Sequence, residues 1–476
     1  MRTSGQYISK LYSMRKNVHL GGKIVGRDHP DLLPGINVIS LTFDLAQDPE
    51  HADLMTVDVE GEKINRFNHL ARNTDDLINK ITMVRRCCHK VGGCIQRCMG
   101  NDSLTALWAI TYLMDEKLGT EYHRRFLKYF DFFQKNDLVG SAAMTDVKGD
   151  RSLRPHQQAD PDLYLRVIEK NEEGMIVRGA KAHNTISPYS DELIVLPTRA
   201  LTENEKDYAV SFALPADAEG VILVCRSVFN PQKKRFRMPV DQFGETGSIT
   251  IFDNVLVPWE RVFMCGEWQF SAALTSAFSR CHRHTYCGCK PATTDILLGA
   301  ASLIAEYNGI EKASHIGGKL AELIATSELI FACGISSAMK GEKTPSGAFL
   351  PDRIFSNVGR FHAGKQFHHE CEIIHDIAGG LATTLPEDED LLDPEIWKFM
   401  EKYLKGKADV PAEYRIRCLR LIEDLTVSHL GGHKLVGGIH GGGSPEMEKI
   451  AIIQEYNLEE KKDIVKELAG IPKGKK

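Results

Sequence analysis

Two pairs of residues carry the chemistry of this chain: Cys94 with Cys98, and His282 with Cys289. The first pair is four residues apart and the second seven, so on helices each pair shares one face. Three thiolates and one imidazole complete a four-ligand set of the kind that holds a 4Fe-4S cluster or a zinc ion. Tyr286 lies at i+4 from His282 and should stand on the same face. Cys87, Cys88, His89, Cys281, His284 and Cys287 crowd both halves. Free cysteines are commonly buried packing residues, and these read as core filling or outer support. Because Cys287 and Cys289 are only two apart, spacing leaves the choice between them open.

The elements that must position these residues follow from periodicity. A helix starts at Asn73-Thr74-Asp75-Asp76 and runs through residues 77–91; Gly92-Gly93 breaks it, so the Cys94 pair should open a new helix. Residues 104–114 read as a core helix, and residues 1–140 as a mainly helical domain. Short β-type runs occupy 163–167, 175–177, 193–196, 208–214, 221–228 and 249–257, with a hairpin loop at Asn171-Glu172-Glu173-Gly174. That spacing predicts a small β-barrel or sandwich over 141–275. Helical periodicity returns over 295–307, 319–337, 413–428 and 444–468, around an acidic loop at 386–394, giving a C-terminal bundle over 276–476. The whole is an α+β multidomain chain.

Bulk properties narrow the class. At 476 residues there is room for roughly three domains. A formal net charge of −5 gives no electrostatic argument for nucleic acid or a membrane surface. The basic run Lys473-Gly474-Lys475-Lys476 reads as a solvated tail. No secretory signal and no spanning apolar run is visible, so the twelve cysteines are expected as free thiols or metal ligands in a cytoplasmic protein. The glycines at 431–432, 437–438 and 441–443 follow no strand and lack dinucleotide or phosphate-loop spacing, so they read as helix breaks or tight packing; Gly21 to Gly26 also fails that spacing.

The three-part order is similar to the acyl-CoA dehydrogenase-like flavoproteins. Cys94-Ile95-Gln96-Arg97-Cys98 and His282-Arg283-His284-Thr285-Tyr286-Cys287-Gly288-Cys289-Lys290 sharpen the resemblance to the branch holding 4-hydroxyphenylacetate hydroxylases and 4-hydroxybutyryl-CoA dehydratases. It is the dehydratases that bind a 4Fe-4S cluster through such a set, here Cys94, Cys98, His282 and Cys289. The resemblance runs from Asn65-Arg66-Phe67 to His440-Gly441-Gly442-Gly443-Ser444-Pro445, and Phe252-Asp253-Asn254-Val255 is a further, structural marker.

The resemblance also implies FAD. Met144, Thr145, Asp146, Lys148, Gly149, Asp150 and Arg151 resemble one flavin loop, in which Lys148 or Arg151 meets phosphate charge and Gly149 allows close approach. His183, Asn184 and Thr185 resemble a second contact. Asp376, Ile377, Ala378, Gly379 and Gly380 resemble the element that reaches a flavin from a neighbouring subunit of a homotetramer. The implied reaction turns the acyl-CoA substrate 4-hydroxybutyryl-CoA into crotonyl-CoA and water by transient one-electron oxidation, because the C3 hydrogen is acidic only in the enoxyl radical. A related activity moves the double bond of vinylacetyl-CoA. His282 then serves as ligand and base, Tyr286 donates to the leaving hydroxyl, Gln96 faces the substrate, and Lys290 and Glu245 complete the catalytic set.

The chain departs from that pattern at two proton-handling positions. Where the dehydratases carry glutamates, Gly247 and Gly437 stand here, with Glu245 two residues before the first. Gly442 occupies the place of a usual alanine. These departures point to a paralogue with another hydroxyacyl-CoA substrate, or one that retains only the double-bond shift. Two rival readings are an aromatic hydroxylase with a separate reductase and a catalytically silent scaffold held by a zinc site. Iron, sulfide and flavin content separate them.

Overall fold

Asn73 opens the first helix that matters to the site: its side chain accepts from Asp76 N at 2.9 Å, the cap that the sequence pattern predicts. In this computed structural model, which describes residues 1–226 and 238–472, the longer N-terminal helices are α1 (Ser4–Tyr12), α2 (Leu33–Gln47), α3 (Thr74–Val91), α4 (Cys98–Leu118) and α5 (Tyr122–Lys135). Gly92 ends α3 in the left-handed conformation at φ 68°. The tail at 473–476 and the last residues of the run expected over 221–228 lie outside the described residues.

The β region is built of two sheets. Its strands are β1 (Val18–Leu20), β2 (Lys23–Val25), β3 (Gly140–Ala143), β4 (Arg166–Lys170), β5 (Gly174–Thr185), β6 (Glu192–Val195), β7 (Val210–Pro215), β8 (Val221–Cys225), β9 (Gly247–Pro258) and β10 (Val262–Cys265). One sheet has the order β2-β1-β8-β9-β5-β4 and the other β10-β7-β6-β3. The chain's N-terminal part thus supplies two strands to the larger sheet, with Val18 beside Leu223 in a parallel pair. The two sheets meet through Phe212 and Phe252, whose ring centroids are 5.8 Å apart in an edge-to-face arrangement. The Asn171 hairpin closes as expected, Asn171 N donating to Gly174 O at 3.0 Å. At Asn254 (φ 53°) β9 shifts register against β5, and the Asn254 side chain accepts from Arg178 Nε at 2.8 Å. The Phe252–Val255 marker is therefore a bulge that kinks a long strand.

Helix α6 (Ser271–Asn308), 38 residues and about 57 Å long at 1.5 Å per residue, is the axis of the C-terminal part. It packs against α3, α4, α7 (Ser314–Met339) and α8 (Arg353–Ala378). After it come α9 (Ala412–Thr426), α10 (His429–His440), α11 (Pro445–Glu455) and α12 (Leu458–Leu468). The single helix expected over 444–468 is two, because Asn457 caps a new one through Glu460 N at 3.1 Å. The acidic loop contains the short helix Asp388–Leu392. Among the described residues, α7 alone is long and apolar enough to cross a bilayer by length and composition, and it lies packed along α6 and α8.

Candidate active site

The cysteine pair at 94 and 98 departs from the helical expectation. Cys98 is the first residue of α4, and Cys94 lies in the preceding loop. That loop is turned by Gln96 in the left-handed region (φ 64°) and tightened by Arg97 N donating to Ile95 O at 2.7 Å. The loop, not one helical face, sets the Cys94 thiol within electrostatic range of Cys98. Cys289 comes from α6, where its thiol donates to Tyr286 O at 3.8 Å and neighbours the Cys94 thiol closely enough to raise the pKa of Cys94. Cys287 points away, into a cluster with Ile330, Cys333 and Ala363, so Cys289 is the α6 cysteine that meets the Cys94 loop. Cys87 and Cys88 are fully buried behind the loop, and His284 is tied to Ser337 and Leu77 O at 3.2 Å each, as packing residues are.

His282 stands on the same face of α6. Its Nδ1 is 2.8 Å from Asp102 Oδ2, so Nε2 is the nitrogen left for a metal. Asp102 sits one turn after Cys98 on α4 and is fully buried. Lys80 Nζ reaches its Oδ1 at 2.6 Å and Thr285 Oγ1 donates to the same oxygen at 3.0 Å. Burial alone would raise this carboxyl, but Lys80 and His282 hold it down at about 2. One ligand atom each from Cys98, Asp102 and His282 lies within 4.8 Å of the others. Sequence reasoning missed Asp102, although its i+4 spacing from Cys98 was visible. The Tyr286 ring meets the His282 ring edge-on at 5.0 Å, as i+4 spacing requires.

These donors suit a bound cation. Contact with Cys289 and burial push the Cys94 thiol well above the usual range, and burial with the nearby Asp102 charge does the same to Cys98. A cation among them reverses that effect by favouring thiolates.

Glu245 lies on the opposite wall, carried by the loop before β9. Gln96 Nε2 donates to Gly244 O at 3.0 Å, Tyr189 OH donates to Gln96 Oε1 at 2.8 Å, and Thr246 N donates to Tyr189 OH at 3.0 Å. Gln96 is thus a buried brace for the Glu245 loop rather than a side chain free to face a substrate. Glu245 Oε1 is 3.5 Å from His433 Nε2 and accepts from Thr185 Oγ1 at 3.4 Å. Burial raises this carboxyl, but the His433 and Lys434 charges bring it below its ordinary value. Lys434 Nζ in turn donates to Gly92 O at 2.9 Å, fastening α10 to the end of α3. Lys290 Nζ lies 4.2 Å from the Phe367 ring centre, and burial lowers its pKa.

The glycines expected as tight packing are so at 431, 438, 441 and 443, most sharply at Gly441, where a Cβ would fall 1.8 Å from the Tyr286 hydroxyl. Arg360 lies over the Tyr286 ring at 4.6 Å and donates to Gly441 O and Ile439 O. Glu448, fully buried, faces Arg360 at 3.6 Å; burial lifts its pKa to about 7 against the pull of Arg360 and Arg283.

The residues expected at a flavin fall in three places. Met144, Thr145 and Asp146 are pinned to β5: Lys181 Nζ donates to Met144 O and Asp146 Oδ1, and Ala182 N to Thr145 O. Gly149 (φ 54°) serves its own turn, since a Cβ there would meet Gln158, Leu163 and the Tyr164 hydroxyl. Asp150 is bound to Ser152, while Lys148 and Arg151 are exposed. His183 is also exposed, in the left-handed region (φ 58°), with Lys148, His433 and His440 in electrostatic range. Thr185 contacts Glu245. Asn184 is buried with both amide atoms unpartnered among the described residues, which suits a polar ligand at this edge. Asp376, Ile377, Ala378, Gly379 and Gly380 close α8 about 24 Å along the helix axis from Arg360, with Asp376 paired to Lys319.

The model described as "4-hydroxyphenylacetate 3-hydroxylase N terminal" matches residues 3–264, and its C-terminal counterpart matches 271–470. The chain belongs to the 4-hydroxyphenylacetate 3-hydroxylase family. Within that family it is 39% identical to the 4-hydroxybutyryl-CoA dehydratase/vinylacetyl-CoA-Delta-isomerase of Clostridium aminobutyricum, over 99% of this chain and 100% of that one. The oxygen-tolerant archaeal 4-hydroxybutyryl-CoA dehydratase structure from N. maritimus superimposes with a TM-score of 0.94 at 38% identity, covering 99% of this chain and 96% of that one. The oxygenase component of 4-hydroxyphenylacetate 3-monooxygenase, solved with FAD, gives a TM-score of 0.88 at 26% identity, covering 98% of each chain. Likeness to the dehydratases therefore exceeds likeness to this hydroxylase.

Proposed function

We propose that this protein converts 4-hydroxybutyryl-CoA, or a closely related hydroxyacyl-CoA, to crotonyl-CoA and water, and shifts the double bond of vinylacetyl-CoA. The observation that supports this is the grouping of Cys98 and His282 within 4.8 Å, with Asp102 fixing the imidazole and the Cys94 thiol beside that of Cys289. The 39% identity to a dehydratase/isomerase over the whole chain supports the same reading. Cys94, Cys98, His282 and Cys289 would hold a 4Fe-4S cluster. The 144–151 loop, His183–Thr185 and, from a neighbouring copy, Asp376–Gly380 would hold FAD.

When bound, the flavin supplies one-electron chemistry and the cluster a Lewis-acidic iron for the leaving hydroxyl. The chain's own residues do the rest. Burial keeps Tyr286 a phenol, able to give a proton to the departing oxygen, and the slot left by Gly441 holds its hydroxyl. Asp102 fixes the His282 tautomer, so one nitrogen faces the sulfurs. Lys290, beside Cys289, adds positive charge for a thioester enolate. Glu245 is the carboxylate on the opposite wall. Exposed Ile453, Val465 and Leu468 on α11 and α12 offer apolar surface for assembly, and the reading includes a homotetramer and a cytoplasmic location.

Anaerobically purified protein should contain iron, sulfide and FAD and should form crotonyl-CoA from both thioesters. Zinc without flavin, or oxygen-dependent hydroxylation of a phenol, would replace this reading by one of its rivals.

A further inference from the structure

We propose that Glu245 and His433 form a proton-exit pair, in which Glu245 takes the proton from the carbon beside the thioester carbonyl and His433 passes it to water. This rests on the acyl-CoA reading above and adds a residue that the sequence did not single out. Two features of the geometry carry it. First, the peptide groups on either side of Glu245 are both locked to the cysteine loop, Gly244 O directly by Gln96 and Thr246 N through Tyr189. The carboxylate is therefore held on the wall facing Cys94 and Tyr286. Second, both contacts, from His433 and Thr185, fall on Oε1, so among the described residues Oε2 is left unengaged for a substrate hydrogen.

His433 is placed to connect that carboxylate with solvent. Its side chain is 43% exposed, whereas that of Glu245 is 16% exposed. Lys434, the next residue, fastens α10 to Gly92 O, so the imidazole is fixed over the carboxylate. The groups facing the pair are Lys434, Arg226 and His183 around His433, and Cys94, Tyr189 and Tyr286 around Glu245. No other carboxylate is supplied by the neighbouring positions: 247 and 437 are glycines, and the space around Gly437 is open to 4 Å.

The step balances as a proton transfer. The C–H bond breaks, its electron pair stays on carbon and spreads into the thioester carbonyl as an enolate, and the proton bonds to a Glu245 oxygen. Once Glu245 is neutral, the His433 imidazolium loses the partner that held its proton and gives that proton to water. The neutral imidazole then takes the proton from the carboxylic acid, restoring the carboxylate–imidazolium pair.

The test follows vinylacetyl-CoA isomerisation by holoenzyme in D2O, reading deuterium in crotonyl-CoA by NMR. Wild type should label its product. In H433Q the abstracted proton is retained on Glu245 and returned to the substrate, so product deuterium per turnover should fall at least about tenfold and be restored by added imidazole, with iron and FAD content unchanged. E245Q should slow C2 exchange by roughly a hundredfold or more, again with both cofactors retained. Wild-type labelling in H433Q, or wild-type exchange in E245Q, overturns the pair while leaving the acyl-CoA reading intact. Absence of turnover by cofactor-replete wild type overturns both.

Discussion

The two walls of the site are built differently. The wall made by α3, α4 and α6 is buried, and its central carboxylate is saturated: Asp102 is engaged by Lys80, His282 and Thr285. The wall made by the Glu245 loop, α10 and α11 is looser, with an exposed imidazole at His433 and a buried Glu448 whose oxygens have no hydrogen-bond partner among the described residues. A donor set that must grip a metal needs fixed geometry. A proton path needs a group that changes charge and reaches water. The contrast assigns holding to the first wall and proton traffic to the second.

Substitutions on the two walls should therefore fail in different ways. The largest effect belongs to the first: Cys289→Ser should eliminate cluster iron and turnover together, checked by iron and sulfide analysis and the visible spectrum. Asp102→Asn keeps the shape but frees the His282 tautomer and leaves Lys80 without a charged partner. It should cost about 10–100-fold in metal retention or activity, read by iron content against chelator challenge. If D102N holds iron as wild type does, the tight wall is not what fixes the imidazole.

The second wall should show itself in pH and packing. The folded Glu448 carboxyl sits at about 7 against an ordinary 4.5, so between those values the folded state keeps a proton that the unfolded chain has lost. Stability from this group is therefore greatest below pH 4.5 and declines as pH rises to 7, by about 3 kcal/mol in all. Glu448→Gln should flatten that slope in melting temperature against pH. Gly441→Ala must push against Tyr286 and should cost about 1–3 kcal/mol along with turnover, measured by denaturant unfolding and rate. Gly437→Ala has open space inside α10 and should instead stabilise by up to about 1 kcal/mol. Equal effects at 441 and 437 would show that packing on Tyr286 is not specific.

Much of the first wall was legible in the sequence. His282 and Tyr286 share one helix, and a spacing of four residues decides their contact without knowledge of the fold. The cap at Asn73 and the stop at Gly92 were equally local. The Cys94–Cys98 spacing misled, because Gln96 adopts a left-handed turn that no helical template contains. Gln96 itself was read as facing the substrate, yet its partners Gly244 and Tyr189 are remote in sequence and gave no signal at its own position. His433 was invisible for the same reason.

The sequence by itself determined which residues share a face within one helix, that helices flank a central β region, and that three thiols and an imidazole were available as a set. Only the tertiary structure decided that Cys289 rather than Cys287 meets Cys94, that Asp102 holds His282, and that Glu245 meets His433. The physical reason is range. Backbone periodicity fixes neighbours three or four residues apart, whereas contacts between distant segments are set by how α6, the Glu245 loop and α10 pack as rigid bodies.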